Sequence, residues 1–266
     1  KGTANADLAG LKDVRIKVSS YSAGSWVTVS DNNQAGGIWI SSWSWTGLSG
    51  LVDGTTYQIV AKDQDNALNW STTYSTITFV YDITAPVVKI VRPVDARYYG
   101  KNSSLADYYL DTLSGTASDA YVEKTEIRIY EVNTSSYWHT TGWKVDVSSW
   151  LSAGKESWQF DTPPLTDGYK YRVEARAYDM AGNLSAYATS YAYYDSTVPQ
   201  AALKKPDSGF YNNLPEITGT AADPASAGPY KSDLLKAQVA IQKSPPGGDW
   251  WNGSAFVSTA RVWLDD

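Results

Sequence analysis

Cysteine is absent from the 266 residues. Disulfide scaffolds, thiolate metal sites and cysteine nucleophiles are therefore excluded, and stability has to come from packing, bound ions or both. Histidine occurs once, as His139, in the aromatic run Tyr137-Trp138-His139-Thr140-Thr141-Gly142-Trp143 with no carboxylate at nucleophile-base spacing. A hydrolytic triad has no base to work with, and His139 reads as a surface hairpin residue. Methionine also occurs once, and the Leu-Glu-Lys-Ala runs that favour helices are scarce, which argues against an all-helical chain. No stretch approaches the roughly twenty apolar residues of a membrane helix, and any export signal or anchor is expected outside this segment. Lys and Arg number 22 against 28 Asp and Glu, a formal charge of -6. Without a basic stripe to release counterions from phosphates, neither nucleic acid nor an anionic membrane is an expected partner; divalent cations fit better. Zinc-type ligand spacing and a phosphate-cradling glycine loop are missing as well.

What is present is β-forming. Twenty tyrosines and twelve tryptophans accompany many Thr, Ser and Val residues. Three anchors then recur in the same order along the chain. Gly2-Thr3-Ala4-Asn5 is matched by Gly115-Thr116-Ala117-Ser118 and Gly219-Thr220-Ala221-Ala222, spaced 113 and 104 residues apart. Asp53-Gly54-Thr55-Thr56-Tyr57-Gln58-Ile59-Val60-Ala61 is matched 114 residues on by Asp167-Gly168-Tyr169-Lys170-Tyr171-Arg172-Val173-Glu174-Ala175. The match continues ungapped, so that Asp65-Asn66-Ala67-Leu68-Asn69 falls on Asp179-Met180-Ala181-Gly182-Asn183. Asp-Gly opens a strand, and the Asp-x-Ala-x-Asn run makes the turn after it. Last, Tyr81-Asp82-Ile83-Thr84-Ala85-Pro86 is matched by Tyr194-Asp195-Ser196-Thr197-Val198-Pro199, where proline ends a strand and a short, stiff linker begins.

A period of about 100 residues with short alternating strands is the size of one immunoglobulin-like or fibronectin III-like sandwich. The expected fold is all-β: tandem sandwiches, one complete and two truncated. Residues 1–84 form the first repeat, lacking its first strand; 85–195 the complete second; 196–266 the third, lacking its last strands. Half-sandwiches leave strand edges open, so both ends are expected to be cuts within a longer array, or else neighbouring chains supply strands by complementation.

The anchors resemble the bacterial immunoglobulin-like (Big-type) repeats of large secreted and cell-surface proteins, whose units read Gly-Thr-Ala-x-Asp, Asp-Gly-x-Tyr-x-Val, Asp-x-Ala-Gly-Asn and Asp-x-Thr-x-Pro. The likeness covers nearly the whole chain. Asp249-Trp250-Trp251-Asn252-Gly253-Ser254-Ala255-Phe256 is similar to their mid-domain Trp-Asn-Gly hairpin, and Tyr137-Trp138-His139-Thr140-Thr141-Gly142-Trp143 and Ala23-Gly24-Ser25-Trp26 are looser versions. Asn5 and Leu68 depart from the pattern, which prefers Ser and Gly there. The resemblance implies a non-catalytic stalk, adhesin or filament component, extracellular or at the cell surface, whose partners are other repeats of the same parent chain and surface glycans or proteins. It also implies junction ions in some members.

Two constellations carry candidate chemistry. Ca²⁺ takes six to eight oxygens in flexible geometry, and carboxylates gather at anchor positions that such a fold brings to its loops: Asp82, Asp119 and Asp179 with Asn183 at the first junction, Asp195 and Asp223 at the second. The Asp-x-Asp-x-Asp calcium loop is absent, and the same residues can simply cap turns. Trp39, Trp43 and Trp45 alternate as in a strand with rings on one face, a possible glycan platform, although core tryptophans under hairpins explain them too. The rival functions are a carbohydrate-binding module array and an accessory region of a secreted hydrolase.

Overall fold

A computed structural model describes residues 11–19, 27–31, 45–46, 48–101, 105–145, 147–207, 209–224 and 226–265. It is nearly all β, with no α-helix among the described residues. The chain divides into two compact units: Lys1–Ala85 with the turn Asp179–Asn183, and Pro86–Tyr178 with Leu184–Asp266. The Gly2-Thr3-Ala4-Asn5 anchor and the Ala23-Gly24-Ser25-Trp26 run lie outside the described residues.

In the first unit four strands, β1 (Leu11–Ser19), β2 (Val27–Asp31), β3 (Thr55–Asp65) and β4 (Ser75–Tyr81), form an antiparallel sheet in the order β2-β1-β3-β4. Val14 and Ile16 alternate along β1 and are buried, as is Tyr57 on β3. The period of two puts one face of the sheet inward.

The second unit contains β5 (Val87–Arg92), β6 (Arg97–Tyr99), β7 (Thr112–Ser118), β8 (Val122–Glu131), β9 (Ser136–His139), β10 (Gly142–Val145), β11 (Leu151–Gly154), β12 (Ser157–Asp161), β13 (Tyr169–Asp179) and β14 (Ala188–Tyr194). They follow one hydrogen-bonded path, β5-β7-β12-β11-β8-β13-β14-β6, with the β9–β10 hairpin attached to β8. The β11–β12 connection is held by a single pair, Gly154 with Trp158, and there the path turns over. Its two halves face each other as a sandwich: Val88, Leu113 and Trp158 from one side form a single core with Ile127, Ile129, Val173, Ala175 and Ala192 from the other. Trp158 is fully buried under Gly115, where an added Cβ would collide with the Lys89 carbonyl and the Trp158 ring. The glycine of the Gly-Thr-Ala anchor is thus required by the close approach of a neighbouring strand and an indole.

Strand β8 shows why this side chain order makes a strand. Thr125, Ile127, Ile129 and Glu131 point inward, while Lys124, Glu126, Arg128 and Tyr130 alternate outward. The outward residues meet a matching row on β13. Arg128 pairs with Glu174 at 2.8 Å and Arg176 with Glu126 at 2.7 Å, and both arginines lie over the Trp150 ring. Trp150 therefore covers the outer face of the sheet rather than filling the core as Trp158 does.

The remaining strands are short: β15 (Gln200–Lys205) with β16 (Thr218–Ala222), β17 (Gln238–Val239) with β20 (Leu264–Asp265), and β18 (Trp250–Trp251) with β19 (Phe256–Ser258). The last pair is the expected Trp-Asn-Gly hairpin, closed by the Asn252 side chain accepting from the amides of Ser254 and Ala255, with Gly253 at φ +101°.

Candidate functional site at the repeat joints

The Asp-Gly turns place the first functional side chains. Gly54 and Gly168 sit at φ +69° and +74°, the left-handed region that favours glycine, and their amides donate to the carbonyls of Tyr81 and Tyr194 at 2.8 and 2.7 Å. This closes the end of the strand pair and swings the preceding aspartate over the outgoing linker. Asp53 accepts from the Ile83 amide at 2.7 Å and from the Thr84 hydroxyl. One repeat later, Asp167 accepts from the Ser196 amide and the Thr197 hydroxyl, both at 2.6 Å. The same clamp is built twice. In both copies the Asp of the Tyr-Asp pair caps the linker from within, Asp82 accepting from the Thr84 amide at 3.0 Å and Asp195 from the Thr197 amide at 3.2 Å.

Charge follows geometry. The Thr84 hydroxyl and the Ile83 amide hold the Asp53 carboxyl below its ordinary value. At Asp167 burial alone would raise the carboxyl, but the bonds from Thr197 and Ser196 outweigh it and the net shift is downward. A second repeated corner fixes the turn: the Tyr57 hydroxyl accepts from the Val52 amide at 2.8 Å and the Tyr171 hydroxyl from the Thr166 amide at 2.7 Å.

Within the first unit, Asp179 is fully buried and accepts from the Asn183 amide and side chain, both at 2.8 Å; the same Asn183 side chain donates to the Asp82 carbonyl at 3.1 Å. Carboxylate oxygens of Asp82 and Asp179 approach within 4.8 Å. Asp65 and Asn69 repeat the turn, with bonds of 2.7 and 2.9 Å. Asp119, in the second unit, accepts from the Tyr121 amide at 3.0 Å.

The second joint lies entirely within the second unit. Residues 226–232 fold onto the Gly168 turn: the Tyr230 amide donates to the Gly168 carbonyl at 3.0 Å, and a Cβ on Gly168 would strike Ser226 and Gly228. Asp195 accepts from the Ser232 amide and hydroxyl at 2.6 and 2.7 Å. Beside it stands Asp223, 9 % exposed, neither of whose carboxylate oxygens meets a donor. Burial raises its carboxyl above the ordinary value, and the charges of Asp195 and Asp167 add to the effect. An ionised carboxylate left this way costs stability unless a proton or a cation joins it.

The remaining sequence candidates are quickly placed. Trp39 and Trp43 lie outside the described residues, and Trp45 is half-buried. His139 is half-buried, with its Nε2 2.8 Å from the Val147 carbonyl. The clamp aspartates Asp53 and Asp167 were not among the expected site residues. Their signal was legible, since each repeat pairs the Asp of Asp-Gly with a Thr two residues beyond the Asp of the Tyr-Asp pair.

No protein-family model matches the chain, and neither does any curated protein sequence. Solved structures do. The chain is similar to fibronectin(III)-like modules of CbhA from Clostridium thermocellum, with 12% identity and a TM-score of 0.37 over 73% of this chain and 83% of that one. It is also similar to the FN1–FN3 domains of chicken CNTN1 (14% identity, TM-score 0.34, 70% of this chain and 57% of that one). A third likeness is to a 1.5-MDa bacterial ice-binding adhesin (13% identity, TM-score 0.35, 77% and 61%).

Proposed function

We propose that the chain is a non-catalytic spacer of Big-type immunoglobulin-like repeats, divided at residues 84 and 195, in an extended surface or secreted bacterial protein with a structural or adhesive role. The observation that carries this reading is the clamp built twice, with Asp53 on Ile83 and Thr84 and Asp167 on Ser196 and Thr197. A carboxylate committed to the outgoing linker holds that linker's first residues against the strand pair it leaves. That is useful to a chain whose product is spacing. A flexible Gly/Ser-rich linker would sample many directions; this one is short, ends in proline and is bonded at successive residues.

The acidic residues extend the same reading. Both carboxylate oxygens of Asp223 lack a donor, and with the Asp195 carboxylate beside them they offer the hard oxygens that suit Ca²⁺. Bound there, the ion would supply positive charge to a buried carboxylate and tie residue 223 of the third repeat to residue 195 at the end of the second. Asp82 and Asp179 make a weaker case because each carboxylate already accepts a hydrogen bond, whereas that of Asp223 accepts none, and Asp119 shares in it only as a half-buried carboxylate of the second unit.

Limited proteolysis tests the clamp. In the intact protein the Tyr194–Pro199 linker resists chymotrypsin while exposed loops are nicked; Asp167→Ala makes the linker the first site cut, with the melt of the sandwich core preserved. Equal resistance of the two proteins would remove the clamp as the basis of a rigid joint.

A further inference from the structure

We infer that the second repeat carries a neutral-glycan subsite in the groove between the β9–β10 hairpin and the Gln159–Pro164 segment. The groove encloses about 460 Å³, within the roughly 300–1,000 Å³ range of small-ligand sites. Its apolar lining includes Trp138, Phe160 and Pro164; its polar lining includes Thr140, Gln159 and Asp161. This site stands apart from the joints and does not depend on their function.

Both walls are fixed. Trp138 and Trp143 face each other across the hairpin and meet edge to face at 5.4 Å. Trp143 then donates its indole N–H to the Pro164 carbonyl at 3.2 Å, tying the hairpin to the opposite wall. That wall is pinned in turn by the Thr162 amide, which donates to the Asp111 carbonyl at 2.9 Å, and by the buried ring of Pro163. The groove therefore exists before any ligand enters, and little ordering cost is left to binding.

The polar side points to what it takes. The Thr162 hydroxyl is buried without a hydrogen-bond partner, a state that costs stability unless something supplies one. Gln159 and Asp161 are exposed, and their side chains bond to nothing among the described residues. An amide and a carboxylate are thus left free beside an aromatic floor. A pyranose ring matches both sides: its C–H face lies on an indole, while its hydroxyls donate to carboxylate and amide oxygens in the ring plane. Among the described residues, Asp161 brings the only formal charge to the lining, and it is negative, so uronic-acid and sulfated glycans are disfavoured. A neutral hexopyranose polymer is the class that fits.

Affinity electrophoresis of the whole chain through gels containing hydroxyethyl cellulose, xyloglucan, galactomannan or polygalacturonate tests this. Retardation is expected in at least one neutral gel and not in polygalacturonate. Trp138→Ala is expected to weaken retention about tenfold, the loss of one ring-stacking contact. Because that change also touches the core edge, the double variant Gln159→Ala/Asp161→Ala serves beside it: both residues are exposed, its melt should be unchanged, and its retention should fall several-fold. Free migration in every neutral gel, retention of both variants equal to that of the parent chain, or preferential retention by polygalacturonate or by an immobilised polyproline peptide would each overturn the assignment.

Discussion

At the scale of single residues, the two tyrosine corners make a sharp prediction. Tyr171 is 2 % exposed, and burial pushes its hydroxyl up to about 12, so it stays a neutral phenol whose oxygen accepts from the Thr166 amide at 2.7 Å. Tyr171→Phe keeps the ring and leaves that amide without an acceptor, which should cost about 1–3 kcal/mol in urea unfolding; a change near zero would mean that water replaces the hydroxyl. Leu68 runs the other way. It holds φ +72° in the turn where its counterpart Gly182 holds +91°. A left-handed leucine stores about 1–2 kcal/mol, and glycine offsets part of that through chain entropy in the unfolded state. Leu68→Gly should therefore raise the melting midpoint of the first unit by the equivalent of a few tenths to about 1 kcal/mol, whereas Gly182→Leu should lower stability. The departure from the repeat pattern visible at Leu68 is thus a strained copy of the same turn, not a different turn.

At the scale of elements, the linker clamp makes stability depend on acid. The folded-state carboxyl of Asp167 lies below its value in the unfolded chain, so its contribution is fully present above the ordinary carboxylate value of 3.8 and is lost as pH falls through the depressed one. Pepsin cleavage within Tyr194–Pro199 should stay slow at pH values near the ordinary carboxylate range and accelerate below it, and Asp167→Asn should be cut readily throughout. A linker cut at one rate across the acid range in both proteins would refute the dependence. The elements themselves were readable because turns are local chemistry. Asp-Gly sets a positive φ, Asp-x-Ala-Gly-Asn closes on itself over four residues, and the strands between them declare their period of two. The Trp-Asn-Gly hairpin was readable for the same reason. The clamp was harder: its two halves lie 30 residues apart, from Asp167 to Thr197, and only the fold brings them together. Nor does a sequence say which tryptophan is core. Trp158 fills the sandwich because Gly115 makes room for it, while Trp150, eight residues earlier, lies outside between Arg128 and Arg176.

At the scale of the whole molecule, the question is what becomes of Asp223. Its carboxyl is raised in the folded state, so ionising it withdraws stability as pH rises through the raised value, the reverse of the clamp at Asp167. Three states can resolve the conflict: the group keeps its proton, it stays ionised at a cost, or a cation sits between it and Asp195. A thermal melt of the full chain at pH 7, in calcium and then in chelator, separates them when run beside Asp223→Asn. An ion at about one hundred times its dissociation constant adds about 2.7 kcal/mol, which for a unit of this size moves the midpoint by about 5–10 °C. A neutral amide in place of this carboxylate would remove the repulsion and most of the ion's attraction together. The variant should therefore melt above the wild type in chelator, and calcium should barely move it. A calcium shift of equal size in both proteins would put the ion elsewhere, with Asp82 and Asp179 the next place to look. If calcium moves neither protein, no ion sits at Asp223, and the chelator melts decide between the other two states: Asp223→Asn melting above the wild type means an ionised carboxylate held at a cost, and equal melts mean a carboxyl that keeps its proton.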